Sequence, residues 1–276
     1  MKLGLREVPP IWFGSLRYLI AASLLFGLLS LKRRVVFPAR QDWPLILVSG
    51  LLQMAAFSAL TGLALKILPP GRASVLAYST PLWVVPIAAW QLEETVSRPA
   101  LAGVATGLAG IVVIAAPAIS GREGGLVSYL ILLGASACWA LAIVYNRAHR
   151  FAGSSLALAP WQSLLSALLL LPAAFIAEGP LKSIGPIGAL SLAYVGPVAT
   201  AFAYWAVVET GRHFRAGTIS VALLATPVVG IAVSAVITGE TIDLSLVAGT
   251  VLVAAGIGIV ASQSQNPSAG RGSRFA

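Results

Sequence analysis

Acidic residues are scarce in this chain: nine Asp and Glu among 276 residues, against eighteen Lys and Arg. Charged residues make up 10% of it and hydrophobic residues 58%, where a soluble domain carries about 25% charged residues. So few charges cannot cover a folded surface in water, which excludes a soluble globular domain. Cysteine occurs once, as Cys138 inside an apolar run, so no intrachain disulfide can form. The two histidines, His149 and His213, stand far apart at the ends of apolar segments. No metal-ligand spacing results, and neither a metal nor another cofactor is expected. A Walker motif is also missing, so no nucleotide hydrolysis is built in. The N-terminal MKLGLREVPP has no long apolar core before its Pro-Pro and does not read as a signal peptide.

What is abundant is apolar helix. A bilayer core requires about 20 apolar residues per span, and nine runs qualify: 11–31, 44–64, 72–92, 99–118, 125–146, 155–176, 187–208, 216–238 and 244–262. They are continuous and rich in Leu, Ala, Val and Gly, without the alternation of barrel strands. The net charge of +9 does not point to nucleic acid, because the basic residues lie in short clusters between apolar runs. Connectors such as Leu68-Pro69-Pro70-Gly71 and Glu178-Gly179-Pro180 are short and make consecutive helices antiparallel. Alternate connectors hold Lys32, Arg33, Arg34 and Arg40, then Arg98, then Arg147 and Arg150, then Arg212 and Arg215, with Arg271 and Arg274 in the tail. The opposite set, with Lys2, Arg6, Lys66, Arg72, Arg122 and Lys182, is less basic. This bias predicts a multi-pass protein of the cell (inner, cytoplasmic) membrane with its C-terminus in the cytoplasm. Residues 263–276 read as a disordered cytoplasmic tail.

The chain also writes one helical sentence twice. GRASVLAYSTPLWVVPIAAWQLEET at 71–95 matches GTISVALLATPVVGIAVSAVITGET at 217–241. Without a gap, Gly50 aligns with Gly196, Thr80-Pro81 with Thr226-Pro227, and Glu94-Thr95 with Glu240-Thr241. Ala102-Gly103 aligns with Ala248-Gly249, and Ala109-Gly110-Ile111 with Ala255-Gly256-Ile257. A constant shift of roughly 146 residues suits a duplicated bundle rather than a solenoid. Chance likeness of two Leu/Ala/Gly-rich helices would not keep loop residues such as Glu-Thr in register with helix interiors. The expected halves are residues 1–118 and 119–262. The second half holds five helices and the first only four, with the end of another. Met1 aligns with Asn146, already at a helix end, so one helix of about 20 residues is expected upstream. Units of five helices enter the membrane from opposite sides. Such inverted repeats are the usual architecture of alternating-access transporters, with the site near the midplane.

These residues resemble the EamA-type carriers of the drug/metabolite transporter superfamily. The resemblance rests on VPPIWFGSLRYLIA, LPPGRASVLAYSTPLWVVPIAAWQLEE, GLAGIVVI and VALLATPVVGIAVSAVITGETI, and it covers the chain apart from its tail. It implies an all-α, ten-helix bundle of two inverted five-helix repeats, and a carrier of small metabolites that is often an exporter of amino acids or related solutes. In that family the first helix helps line the central cavity.

Polar side chains inside spans must face protein or water, which makes Gln53, Tyr78, Tyr204 and Trp139 the leading cavity candidates. Arg17 suits a carboxylate or phosphate, although it has an alternative in snorkelling to the interface. Its repeat partner Gln162 is also polar. Trp83, Trp161 and Trp205 fall within apolar runs, whereas Trp12, Trp43 and Trp90 read as interfacial belt. Thr80 and Thr226 suit either ligand contact or a bond to the preceding turn. Pro81 and Pro227 each free a carbonyl and bend a helix. Glu209 is a possible proton-coupling group, with pairing to Arg212 as its structural alternative. Gly103, Gly107, Gly110, Gly249 and Gly256 fit close helix packing.

With the solute class and the outward direction taken from that resemblance, the predicted function is secondary-active export of small metabolites, such as amino acids or related amphipathic solutes, by alternating access around a cavity between the repeats. A small-molecule substrate and the lipid bilayer are the expected partners, and nucleic acid is not. A non-transporting membrane subunit or scaffold is the alternative. An intramembrane enzyme needs a cluster of nucleophilic or acid–base side chains, which these helices do not offer.

Overall fold

A computed structural model of the chain describes residues 1–121, 125–206 and 216–264, with residues 216–224 and 264 described by their backbone alone. The helices are α1 (Pro10–Leu31), α2 (Trp43–Val48), π1 (Ser49–Ala56), α3 (Phe57–Leu65), α4 (Pro70–Ala77) and α5 (Thr80–Gln91). They continue with α6 (Arg98–Ile119), α7 (Leu126–Ala148), α8 (Ser155–Glu178), α9 (Pro186–Val195), π2 (Pro197–Phe202), α10 (Ala216–Thr238) and α11 (Leu244–Ser264). Among the described residues, eight helical stretches are long and apolar enough to cross a membrane, and α10 adds the shorter apolar stretch Ala225–Thr238. The chain is a polytopic helical membrane protein. Of the expected tail, residues 263–276, the first two belong to the end of α11, and the rest lie outside the described residues.

The chain divides into two compact units, Met1–Ile67 with Leu141–His213, and Leu68–Ala140 with Phe214–Ala276. Each therefore draws on both ends of the repeat alignment. In the first unit α1 lies antiparallel on α8, its aligned counterpart. The amides of Ile11 and Trp12, at the start of α1, donate to the carboxylate of Glu178 at the end of α8, at 3.0–3.1 Å. One turn on, Ser15 Oγ donates to the Ala167 carbonyl at 3.0 Å. The α2–π1–α3 span packs on both helices, through Ser166 Oγ to the Gly50 carbonyl at 2.9 Å and Tyr18 Oη to the Met54 carbonyl at 3.2 Å.

Both π-helical stretches belong to this unit and occupy matched places in the repeat. Gly50 lies at the start of π1 and its aligned partner Gly196 immediately before π2. The Ala201 amide reaches back five residues to the Gly196 carbonyl at 3.0 Å. Close packing explains the two glycines. A Cβ at Gly50 would stand 2.9 Å from Leu165 Cδ2, and one at Gly196 2.7 Å from Ile20 Cγ2. Longer-turn helix of this kind recurs at functional sites.

In the second unit α6 and α11, again aligned counterparts, form the closest seam. Cβ atoms built at Gly103 and Gly110 would fall 2.9 and 2.7 Å from the carbonyl oxygens of Gly256 and Gly249. Small residues let these backbones touch. The expected span 72–92 corresponds to the single stretch Pro70–Gln91, which is built of two helices, α4 and α5, with a break at Tyr78–Ser79. Pro81 has no N–H for the Ala77 carbonyl, which instead accepts from Thr80 Oγ1 at 3.0 Å and Ser136 Oγ at 3.3 Å. Leu76, whose carbonyl would have taken the Thr80 amide, accepts from Ser79 Oγ at 2.6 Å and Ser136 Oγ at 2.8 Å. Side-chain hydroxyls thus replace two helical bonds. The aligned Thr226-Pro227 lies within unbroken α10, and there the residue matching Ser79 is Ala225, which has no hydroxyl.

The scarce carboxylates have a common use. Glu178 meets the start of α1, and Glu240 takes the amides of Gly71 and Arg72 at the start of α4, at 2.7 and 3.2 Å. Asp42 takes those of Ala152 and Gly153 just before α8, and Glu7 that of Gly188 in the first turn of α9. Asp243 takes that of Leu246 in α11 at 2.9 Å. Helix starts present unpaired N–H groups and a partial positive charge, so each acid satisfies donors that lipid cannot.

Candidate functional site

A cavity of about 190 Å³ opens within the first unit, lined by Leu45, Ser49, Gln53, Asn146, Phe151, Gly153, Ser155, Gln162 and Tyr204. Ser49 and Gln53 are four residues apart in the π1 stretch, and Ser155 and Gln162 seven apart on α8, so each pair shares a helix face. Asn146 closes the cavity from the last turn of α7, where its Nδ2 donates to Ser49 Oγ at 2.9 Å. Its Oδ1 is buried and has no partner. Tyr204 Oη donates to the Ser155 carbonyl at 3.3 Å. Gln162 is buried, and its backbone carbonyl accepts from Ser166 Oγ at 2.7 Å.

Among the described residues, no charged side chain lines this cavity. Asp42, the nearby carboxylate, is buried and faces the amides of Ala39, Ala152 and Gly153. At the Phe151 side, His149 stacks on Tyr145 at 4.1 Å between ring centres and lies 6.5 Å from Phe151. The lining combines amide and hydroxyl groups with an aromatic edge. It can hydrogen-bond a small polar solute, and its described residues hold no nucleophile–base pair. Among the described residues no group of His, Cys, Asp and Glu is placed to hold a metal.

This polytopic helical chain matches the model of the EamA-like transporter family over residues 1–116 and 126–262. The chain belongs to the EamA-like transporter family. It is 29% identical over 273 residues to a probable amino-acid metabolite efflux pump of Salmonella typhimurium, covering 93% of this chain and 87% of the relative. A protein of the same description from Escherichia coli is 26% identical, with the same coverage. An aromatic amino acid exporter, YddG of Ancylobacter novellus, is 30% identical over 211 residues, 72% of this chain and 69% of that one. A solved crystal structure superposes with a TM-score of 0.64 at 22% identity, covering 94% of this chain and 90% of that one.

In this EamA-like transporter the residues predicted to line a site are divided between the units. Gln53, Gln162 and Tyr204 come together in the cavity. Arg17 does not line it. Its Nη2 donates to Tyr18 Oη at 2.6 Å, its guanidinium lies 4.4 Å from the Tyr18 ring centre, and its Nε is buried without a partner. Trp205 is half-buried with its ring 5.5 Å from that of Phe202. In the second unit Tyr78 hydrogen-bonds the side chain of Thr226. Thr80 is buried and bonded to its own preceding turn. Pro81 stands in the first turn of α5, and Pro227 is buried within α10. Trp83 has a buried indole N–H without a partner, and Trp139 is half-buried on α7. Glu209 and Arg212 lie outside the described residues.

Sequence reasoning missed Ser49, Asn146, Phe151 and Ser155. Asn146 precedes Arg147 at a helix end, and Ser155 opens the next helix, so each reads as a boundary residue. The one available signal was the matched Gly50 and Gly196, next to Ser49.

Proposed function

We propose that this EamA-like chain is a secondary-active exporter of small polar or amphipathic metabolites, amino acids foremost, that works by alternating access. The carrying observation is the cavity whose described lining is uncharged and presents Ser49, Gln53, Asn146, Gln162 and Tyr204 together. A zwitterion has no net charge to be neutralised, and buried amide and hydroxyl groups can satisfy both of its ends by hydrogen bonds. The efflux pumps and the exporter among the relatives support the same class and direction.

In this reading residues 1–118 and 119–262 are inverted repeats, and the protein sits in the cytoplasmic membrane with its C-terminus inside. Gln53, Gln162 and Tyr204 contact the solute. Arg17, Tyr78, Thr80, Trp83, Trp139, Trp205 and Thr226 line other stations of its path, Pro81 and Pro227 set helix bends, and Glu209 is a coupling candidate.

The test is counterflow of a panel of amino acids and aromatic metabolites in proteoliposomes, with Gln162→Ala beside the parent chain. Uptake of at least one solute, lost in the variant, is the expected result. A chain that moves nothing on the panel while remaining folded would favour the scaffold reading, and transport unchanged by Gln162→Ala would remove this cavity from the path.

A further inference from the structure

The loop joining α1 to α2 has an unusual surface. Lys32, Arg33, Arg34 and Arg40 are all exposed. None of them meets a carboxylate among the described residues, and Asp42, the nearest acid in sequence, is 2% exposed and engaged with backbone amides. Between the cations, Val35, Val36 and Phe37 are exposed by 45%, 53% and 71%. Three large apolar side chains exposed side by side are costly in water, and the four cations flanking them are free of carboxylate partners among the described residues.

The loop is nevertheless fixed. Trp161 Nε1 donates to the Val36 carbonyl at 3.1 Å, and the Phe37 ring stands 5.2 Å from Trp161 and 6.2 Å from Trp43. Phe26 packs edge-on against Trp161 at 5.1 Å. The Arg34 amide returns to the Leu29 carbonyl at 2.8 Å. The result is an ordered ledge at the shared end of two membrane spans, Pro10–Leu31 and Arg40–Leu65.

We propose that this ledge binds the anionic lipid headgroups of the adjoining leaflet, with Lys32, Arg33, Arg34 and Arg40 on the phosphates and Val35, Val36 and Phe37 in the acyl boundary. A lipid offers both halves of the required chemistry, and it adjoins the end of each membrane span. Basic clusters next to a span are attracted by anionic leaflets, and amphipathic segments add affinity through apolar area. The ledge also touches the cavity wall. Trp161 precedes Gln162, Trp43 lies two residues before Leu45, and Asp42 binds Gly153.

The test uses the full chain in phosphatidylcholine vesicles doped with phosphatidylglycerol. Quenching of tryptophan fluorescence by brominated phosphatidylglycerol is compared with quenching by brominated phosphatidylcholine. A cation held against an anionic leaflet contributes roughly a fivefold preference, so with two or more of the four engaged the parent chain should favour the anionic lipid by at least about tenfold at low salt. Replacing Lys32, Arg33, Arg34 and Arg40 together by Gln should bring that ratio to near unity, while Lys182→Gln leaves it unchanged. Inorganic phosphate in excess should not displace the lipid. A quadruple variant that keeps the preference overturns the proposal, as does phosphate competing as well as lipid does. Lipid association is read without any solute, so a failure here is separable from a failure of the transport reading.

Discussion

Gly103 and Gly256 meet backbone to backbone: a Cβ on Gly256 would lie 2.5 Å from the Gly103 carbonyl oxygen. The repeat alignment sends Gly103 to Gly249 and Gly110 to Gly256, so the contact at one end of the α6–α11 seam reappears at the other. Gly256→Ala should therefore force the helices apart and cost about 1–3 kcal/mol. Gly258→Ala, two residues away with nothing within 4 Å of its Cβ position, should be neutral or slightly stabilising. Thermal unfolding of the two variants in detergent makes the comparison.

Asn146 brings an unpaired buried acceptor to the cavity while its other edge holds Ser49. Asn146→Leu should lower export on the order of tenfold or more, since one lost hydrogen bond to a solute is worth about 1–2 kcal/mol. Asn146→Asp introduces a charge into a lining whose described side chains carry none and should shift preference towards cationic solutes. Competition counterflow with neutral and cationic amino acids reads both effects.

Glu178 accepts from two amides at the start of α1. Glu178→Ala leaves those donors without a partner at a half-buried site and should destabilise the fold by about 1–3 kcal/mol. Glu178→Gln keeps an acceptor and should lose less. Melting temperatures of the two variants rank them.

The Asp243 carboxylate gives a pH test. Burial pushes it upward, but the Leu246 amide, the Ser245 hydroxyl and the Arg72 guanidinium together hold it below its ordinary value of 3.8. A folded value below the unfolded one means that the ionised group stabilises the fold above about pH 4. That contribution drains away as the pH falls through the folded value. Asp243→Asn should lower the melting temperature at neutral pH and flatten its dependence between about pH 3 and 5. An unchanged acid slope would show that the Arg72–Asp243 contact, at 2.8 Å, plays no part in it.

The paired π stretches give a further expectation. Deleting Leu51 from π1 removes a residue from the longer-turn geometry and rotates Gln53 relative to Ser49. The protein should still insert and unfold cooperatively, whereas counterflow should fall on the order of tenfold.

Much of this architecture was legible in the sequence because lipid leaves few choices. The helical spans follow from apolar run length, and the glycines of the α6–α11 seam stood out in the repeat. The break between α4 and α5 was less visible. Thr-Pro occurs in both halves, and the outcome turns on Ser79 against Ala225, together with Ser136 arriving from α7. The carboxylate caps could not be read at all. Glu178 and Ile11 are 167 residues apart, and no local period relates them. The cavity was half-legible. Gln53, Gln162 and Tyr204 stand out as polar groups in apolar runs, but Asn146 and Ser155 sit at helix ends, where polar residues are ordinary.

The glycine seam carries its own experimental control. A substitution at Gly103 has an equivalent at Gly249, and one at Gly110 has an equivalent at Gly256. If the two ends were interchangeable, members of each couple would respond alike. Any divergence between them measures how far the two copies have drifted into separate duties, without reference to any other protein.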